Sequence, residues 1–147
     1  MEPSNPLIVA RRFCGPQDSA NGGYFAGRVA ARAGHTVTVR LLRPPPLDTP
    51  LQTLELADGT LAVMSGTESI GEARTATLVL EARGAPSYFE AVEASRGYAG
   101  FAHHRFPTCF VCGTRRTRGD GMRIFAGPLA ERDLVAAPWV PDGSLDR

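Results

Sequence analysis

The fold of this chain is decided by the stretch NGGYFAGRVAARAG, which runs from Asn21 to Gly34. Asn21 is a preferred helix N-cap and Gly34 is a preferred residue at a helix end, so the stretch predicts one helix over residues 21–33. Its only charged residues are Arg28 and Arg32, which lie four positions apart and therefore on one face. Because the rest of the helix surface is apolar or small, we expect a sheet to surround the helix.

Segments with the composition of β-strands lie on both sides of this helix, and turn signals separate them. The run that follows the helix alternates apolar or β-branched residues with polar ones and stops at Pro44, Pro45 and Pro46, which lack the amide donor that a sheet needs. Asp58-Gly59 is the strongest hairpin signal of the chain. The predicted strands are residues 7–13, 36–43, 51–56, 60–64 and 74–81. The sequence therefore predicts an α+β fold in which an antiparallel sheet wraps around a central helix.

The strand pattern ends at residues 83–86, and a second helix is predicted after it. Ser87 followed by Glu90 three positions later forms a capping box, so we expect a connector helix that runs to about Tyr98. Two segments beyond it, residues 122–125 and 134–140, have the composition of short strands. The predicted organisation is a first domain over residues 1–83, a connector over 84–105, and a Cys-x-x-Cys loop with the start of a truncated second unit over 106–147.

These elements together resemble the hotdog-fold acyl-CoA thioesterase II-like superfamily, over residues 5–82. The resemblance is carried by the glycine-opened helix, the Leu-Arg-Pro strand end at residues 42–44, the Asp-Gly hairpin at residues 58–59 and the long closing strand. It implies a hotdog fold, in which a pair of glycines, here Gly22 and Gly23, opens the central helix. Related proteins commonly carry two hotdog domains side by side. The resemblance thus implies that this chain holds the first domain and the start of the second.

The start of the helix is the expected site for an acyl thioester, and the resemblance makes acyl-CoA the expected ligand. The amides of Gly22 and Gly23 lie at the positive end of the helix dipole, where they can polarise a thioester carbonyl. One well-placed donor can stabilise a transition state by about 3 kcal/mol. Asn21 and Tyr24 flank the two glycines and are the expected substrate contacts. A packing role stays open, in which the glycines only let the loop pass close to the sheet.

Hydrolysis also needs a base or a nucleophile. Many members of the superfamily carry an Asp or Glu on the central helix, but the helix of this chain has no carboxylate between Gly22 and Gly34. The nearest candidates for catalysis are Asp18, Glu68 and Glu72. Glu68 and Glu72 lie in a glycine-broken stretch that is expected to bulge, and both carboxylates are more often solvated loop charges than bases.

A second candidate site is the loop from Cys109 to Cys112. A Cys-x-x-Cys turn followed by glycine resembles one half of a zinc knuckle, and His104 is a further candidate ligand. The alternative is a pair of packed, reduced thiols, which the apolar Phe110 and Val111 between them favour. We expect no bound metal and no cofactor.

A compact basic stretch, Arg115-Arg116-Thr117-Arg118, follows the cysteines. Guanidinium groups suit phosphates, so Arg115 and Arg116 are candidates for holding the phosphates of coenzyme A. The alternative is a solvated surface turn.

Composition and charge limit the classes of partner. The 147 residues carry a net charge of +1, which gives no electrostatic basis for binding nucleic acid. No apolar run approaches the ~20 residues that span a bilayer, and the N-terminus lacks the layout of a signal peptide, so we expect no membrane contact and a cytoplasmic location. All 16 basic residues are Arg, and Ala, Gly and Pro are abundant, which is typical of a GC-rich bacterial genome.

Two functions follow from the sequence. The first is an acyl-CoA thioesterase that hydrolyses acyl thioesters at the glycine pair. The alternative is a non-catalytic hotdog module for acyl binding or dimerisation, which the missing helix carboxylate favours. In both cases we expect a homodimer, because the open sheet edge and uncovered helix face of half a double hotdog favour pairing with a second copy.

Overall fold

The chain divides into two compact units, Met1–Leu80 and Glu81–Arg147. The computed structural model describes residues 5–129 and 132–145. The first unit contains helix α1 (Gly22–Ala33) and strands β1 (Val37–Leu41), β2 (Gln52–Glu55), β3 (Leu61–Ser65) and β4 (Glu68–Thr75). The second unit contains helix α2 (Tyr88–Ser95) and strands β5 (Gly127–Pro128) and β6 (Val135–Ala136). Short 3₁₀ turns lie at Arg11–Phe13, Ala99–Phe101 and Gly143–Leu145.

Helix α1 begins and ends where the sequence predicts. The Asn21 side chain accepts a hydrogen bond from the Tyr24 amide at 3.0 Å, so it acts as the N-cap. Gly34 adopts a left-handed conformation with φ of 74°, and its amide donates to the Ala30 carbonyl at 3.1 Å. This is the conformation that a residue with a Cβ avoids, which is why glycine stands at the helix end.

The sheet of the first unit is antiparallel, with strand order β1-β4-β3-β2. The predicted hairpin joins β2 to β3. Gly59 has a φ of 78°, and the Asp58 side chain accepts the Thr60 amide at 3.0 Å, which lowers the pKa of this carboxyl below its ordinary value. The pairing of β3 with β4 shifts register after Val63, so β4 carries a bulge there. The expectation of an α+β fold with an antiparallel sheet is confirmed.

The core of the first unit lies between α1 and the sheet. Phe25 and Val29 are the buried residues of α1, and both are inaccessible to solvent. The Phe25 ring lies against β4 at Gly71, where a Cβ would come within 3.3 Å of the ring and 3.0 Å of the Arg40 carbonyl oxygen. The helix therefore approaches the sheet closely at a position where any side chain would be tightly packed. The buried core consists of Leu7, Val9, Cys14, Ala20, Phe25, Val29, Leu47, Leu51, Val63, Ile70 and Ala73.

Two predicted strands of the first unit have different limits in the structure. Residues 7–13 form no strand; Leu7 makes an isolated antiparallel bridge with Leu51, and a 3₁₀ turn follows. The closing strand is β4, which starts earlier than predicted and ends at Thr75. Its last pair with β1 is Thr75 with Val37, and beyond it the Ala76 amide donates to the Thr36 carbonyl at 3.1 Å.

The second unit is built on the predicted capping box. The Ser87 side chain accepts the Glu90 amide at 3.3 Å, and the Glu90 carboxylate accepts the Ser87 amide at 2.7 Å. Hydrogen bonds from Ser87 lower the pKa of Glu90 below its ordinary value. Helix α2 packs on the small β5–β6 sheet, where a Cβ at Gly127 would overlap the Ala94 carbonyl. Ala94 and Ala91 are the buried residues of α2.

The predicted strand over residues 122–125 is absent from the structure. The amides of Met122 and Ile124 donate to the carbonyls of Phe110 and Val111 in the cysteine loop, at 2.8 and 2.9 Å. These residues therefore support the loop instead of forming a strand, and the sheet begins at Gly127. None of the helices in the described part of the chain has the length and apolar character that crossing a bilayer requires.

We expect Phe25→Ala to destabilise the chain by about 3–5 kcal/mol, because it empties the contact between α1 and β4. The matched control is Leu54→Ala on β2, where the side chain is 53% exposed and the loss should stay below about 1 kcal/mol. Urea unfolding followed by circular dichroism measures both. Equal losses for the two variants would show that Phe25 does not anchor the core.

Candidate functional site

The start of α1 is held in place by the loop that precedes it. The Asn21 amide donates to the Phe13 carbonyl and the Ala20 amide to the Pro45 carbonyl, both at 2.8 Å. The rings of Phe13 and Tyr24 stack with their centroids 4.0 Å apart and their planes 6° apart. The predicted site residues Asn21, Gly22, Gly23 and Tyr24 thus lie together on a fixed backbone. Tyr24 serves this packing and also accepts a hydrogen bond from Arg28 at 3.2 Å.

The two glycines present their amides at the helix start. Asn21 caps the Tyr24 amide, and α-helix geometry gives the preceding amides of Gly22 and Gly23 no acceptor within the helix. Gly23 is exposed, and a Cβ there would touch only the Asn21 Oδ1 atom, at 3.4 Å. Gly22 has similar space, with the Leu41 side chain at 3.4 Å. Tight packing therefore does not explain the glycine at position 23, and the helix start remains open to an external acceptor.

Two of the candidate carboxylates, Glu72 and Glu68, lie on β4 and form ion pairs. Glu72 lies on β4 next to Gly71, and since neighbouring strand residues point to opposite faces, its side chain lies on the face away from Phe25 and α1. It pairs there with Arg74 at 3.7 Å. Glu68 begins β4 and pairs with Arg43 at 3.9 Å.

Asp18 is the candidate nearest to the glycines along the chain. It is exposed in the turn that precedes the helix, inside the loop closed by the bridge between Cys14 and Ala20. A role for Asp18 as a base stays a prediction.

The cysteine loop of the second unit is a tight backbone turn. The Gly113 amide donates to the Cys109 carbonyl at 2.8 Å, and the Arg115 amide donates to the Pro107 carbonyl at 2.9 Å. A Cβ at Gly113 would come within 2.6 Å of the Pro107 carbonyl oxygen, so the turn requires glycine. Cys109 is buried and Cys112 is half-buried. Burial, with a further contribution from the adjacent Cys109, raises the pKa of the Cys112 thiol above its ordinary value, so this thiol is protonated at neutral pH.

Two side chains bind the backbone of this loop. The Tyr98 hydroxyl donates to the Cys112 carbonyl at 3.2 Å, and the Nε2 atom of His104 lies 3.0 Å from the same oxygen. Because the Phe106 amide donates to His104 Nδ1 at 2.9 Å, Nε2 carries the proton in the neutral ring. Burial and the neighbouring Cys112 raise the pKa of Tyr98 to about 12.

This arrangement bears on the suggested zinc site. Both ring nitrogens of His104 serve backbone groups of the loop. Within residues 5–129 and 132–145, no group of three or more His, Cys, Asp or Glu side chains is placed to hold a metal ion. The loop therefore provides two candidate metal ligands, the Cys109 and Cys112 thiols.

The basic stretch divides into residues with different roles. Arg116 is half-buried and structural, since its Nε donates to the Thr108 carbonyl at 2.8 Å and its Nη1 pairs with Asp120 at 3.0 Å. Arg115 is exposed. The cations that line a cavity, of about 420 Å³, are Arg118 and Arg123. Arg115 and Arg116, the two arginines that the sequence suggested, do not line this cavity.

Comparison with family models, with curated proteins and with solved structures finds no match to this chain. These comparisons identify no family, and the resemblance to the hotdog superfamily stays an expectation from the sequence.

We expect the purified chain to contain far less than one zinc per chain, because one Cys-x-x-Cys pair supplies two of the four ligands that a structural site needs. Cys112→Ser should then cost only about 1 kcal/mol, the loss typical of one half-buried side chain. Elemental analysis and urea unfolding are the measurements. One zinc per chain, or one zinc shared by two chains and lost in Cys112→Ser, would contradict this expectation and identify a metal knuckle.

Proposed function

We propose that this chain binds acyl thioesters such as acyl-CoA at the start of α1, as a hotdog-type domain related in function to acyl-CoA thioesterases. The observation that carries the proposal is the open helix start, where the Gly22 and Gly23 amides follow a rigid loop and the glycine at position 23 has no packing reason. Two such amides and the helix dipole favour a carbonyl oxygen that becomes negative during attack on the thioester.

Support for a hotdog-type fold comes from α1 and its sheet. A glycine-opened helix packs its Phe25 and Val29 face on a four-stranded antiparallel sheet, whose strands all follow the helix in the described part of the chain. Such a fold has an apolar layer between helix and sheet, which is where an acyl chain would enter from the helix start.

A homodimer is part of the proposal, because the chain beyond β4 leaves apolar side chains uncovered. Leu78, Val79 and Leu80 are 67%, 85% and 77% exposed. Three consecutive apolar residues are typical of a strand covered on both faces. We propose that in the dimer this segment pairs with a second copy, which would extend β4.

The alternative function, acyl binding without hydrolysis, is favoured by the positions of the carboxylates. Glu68 and Glu72 are engaged with Arg43 and Arg74, and Glu72 lies on the sheet face away from α1. Hydrolysis in a single chain would then depend on Asp18. In a dimer, a carboxylate of the second copy could serve instead.

We expect Gly23→Val to lower acyl-CoA hydrolysis by about 100-fold, the effect of losing one well-placed donor, while stability changes by less than about 1 kcal/mol. The branched side chain would block the approach of a carbonyl to the amides. Gly27→Val is the matched control, because Gly27 lies on the same helix with no atom near its Cβ position. Release of free coenzyme A from a panel of acyl-CoA substrates is the measurement.

Binding of two coenzyme A analogues tests the alternative function, acyl binding without hydrolysis. A ketone analogue of acyl-CoA keeps the carbonyl and an alkyl thioether of coenzyme A lacks it, so calorimetry should show tighter binding of the ketone. Gly23→Val should remove this difference and Gly27→Val should keep it. Absence of both hydrolysis and carbonyl-dependent binding would refute the proposal.

We expect Val79→Glu to convert a dimer into monomers, since a charge buried in a pairing strand is costly. The control is Thr77→Glu, at a neighbouring exposed polar position. Sedimentation across a range of protein concentrations is the measurement. A wild-type chain that stays monomeric, or a Val79→Glu variant that still dimerises, would contradict the proposed pairing.

A further inference from the structure

A cavity of about 420 Å³ lies within the second unit. Pockets that bind small organic ligands have volumes of about 300–1,000 Å³, so this cavity has room for a ligand that contains an aromatic ring and a charged group. Its walls come from residues 118–125, residues 138–145 and Tyr88. The residues proposed above to bind the thioester belong to the first unit, so the inference drawn from this cavity does not depend on that proposal.

The walls are joined to each other by hydrogen bonds. The Ser144 hydroxyl donates to the Gly119 carbonyl at 2.7 Å, which connects one wall to the other. The Ser144 amide donates to Asp142 at 2.9 Å, and this turns the end of the second wall. The first wall is held by Arg116, whose ion pair with Asp120 is 3.0 Å long. A site whose walls are fixed in advance loses little entropy when a ligand binds.

The cavity carries an excess of positive charge. Its lining contains two guanidinium groups, Arg118 and Arg123, and one carboxylate, Asp142. Among residues 5–129 and 132–145, no carboxylate forms an ion pair with Arg118 or Arg123, while the Nη1 atom of Arg123 donates to the Arg116 carbonyl and so fixes this guanidinium at the cavity. Guanidinium groups bind phosphates and carboxylates through two parallel hydrogen bonds. The charge of the cavity therefore favours an anion.

Aromatic rings form the other part of the lining. Tyr88, Phe125 and Trp139 all line the cavity, and Trp139 is 44% exposed. The guanidinium carbon of Arg123 lies 5.1 Å from the centre of the Phe125 ring, so cation and aromatic surface lie next to each other. Exposed aromatic faces bind flat rings by stacking.

We propose that this cavity binds a small organic anion whose aromatic ring carries a phosphate, sulfonate or carboxylate group. Arg118 and Arg123 bind the anionic group, and the aromatic residues, Trp139 among them, contact the ring. An inorganic anion would use only the cations, and an aliphatic anion would lack the ring that these aromatic faces favour.

Trp139 is the single tryptophan of the chain, so its fluorescence reports on this cavity alone. The aromatic anions for the titration are phenyl phosphate and adenosine monophosphate, and their uncharged counterparts are phenol and adenosine. Inorganic phosphate and octanoate test the anion without an aromatic ring. We expect at least one aromatic anion to bind saturably, with a dissociation constant about tenfold or more below those of its uncharged counterpart, inorganic phosphate and octanoate.

Two arginine variants test whether the cations that line the cavity bind the aromatic anion. Arg118→Ala should raise the dissociation constant of the aromatic anion about tenfold, the loss of one charge-assisted interaction. Arg115→Ala is the matched control, because Arg115 is an exposed arginine of the same stretch that does not line the cavity. Circular dichroism verifies that both variants fold.

Three results would overturn the proposal. The first is that neither aromatic anion binds saturably. The second is that the uncharged counterparts or octanoate bind as tightly as the aromatic anions. The third is that Arg118→Ala and Arg115→Ala weaken binding equally.

Discussion

The contact between Phe25 and Gly71 is the constraint on which the first unit depends. β4 pairs with β1 on one side and with β3 on the other, so Gly71 lies in the middle of the sheet. The Phe25 ring takes the space that a side chain at position 71 would occupy. A Cβ at position 71 would lie 3.0 Å from the Arg40 carbonyl oxygen and 3.3 Å from the ring, so a larger residue there would require α1 or β1 to shift.

Under the proposed function, the groups that polarise the thioester carbonyl and the group that transfers a proton belong to different elements of the chain. The amides of Gly22 and Gly23 follow from the helix start itself, whereas a base would have to come from another element. The alternation of β4 directs Gly71 toward α1 and Glu72 away from it, where Glu72 pairs with Arg74. Under the proposed function, the first unit can therefore hold and polarise a thioester carbonyl, while hydrolysis depends on Asp18 or on a second copy.

In the second unit the backbone of the cysteine loop is the organising element. The Cys112 carbonyl accepts hydrogen bonds from Tyr98 and His104, and loop carbonyls accept the amides of Met122 and Ile124. Burial raises the pKa of the Cys112 thiol and so stabilises its uncharged form in this turn. The chain that leaves it carries Arg118 and Arg123, and these guanidinium groups reach the cavity.

The sequence by itself determined the elements whose signals are local. The limits of α1 follow from Asn21 and Gly34, the β2–β3 hairpin from Asp58-Gly59, and the start of α2 from Ser87, because caps and turns are made by neighbouring residues. The open helix start was predictable for the same reason.

Only the tertiary structure decided where strands end and which charges meet. The segment after Thr75 has the composition of a strand but pairs with no other strand in the described part of the chain, so composition alone predicts a strand end that is too late. Residues 122–125 also resemble a strand, yet their amides bind a distant loop. The roles of Arg115, Arg116 and Arg118 differ although the three lie within four positions, because the partners that hold Arg116 come from the fold of the loop. Strand pairing, burial and charge contacts join residues that lie far apart in the chain, so a local sequence pattern does not predict them.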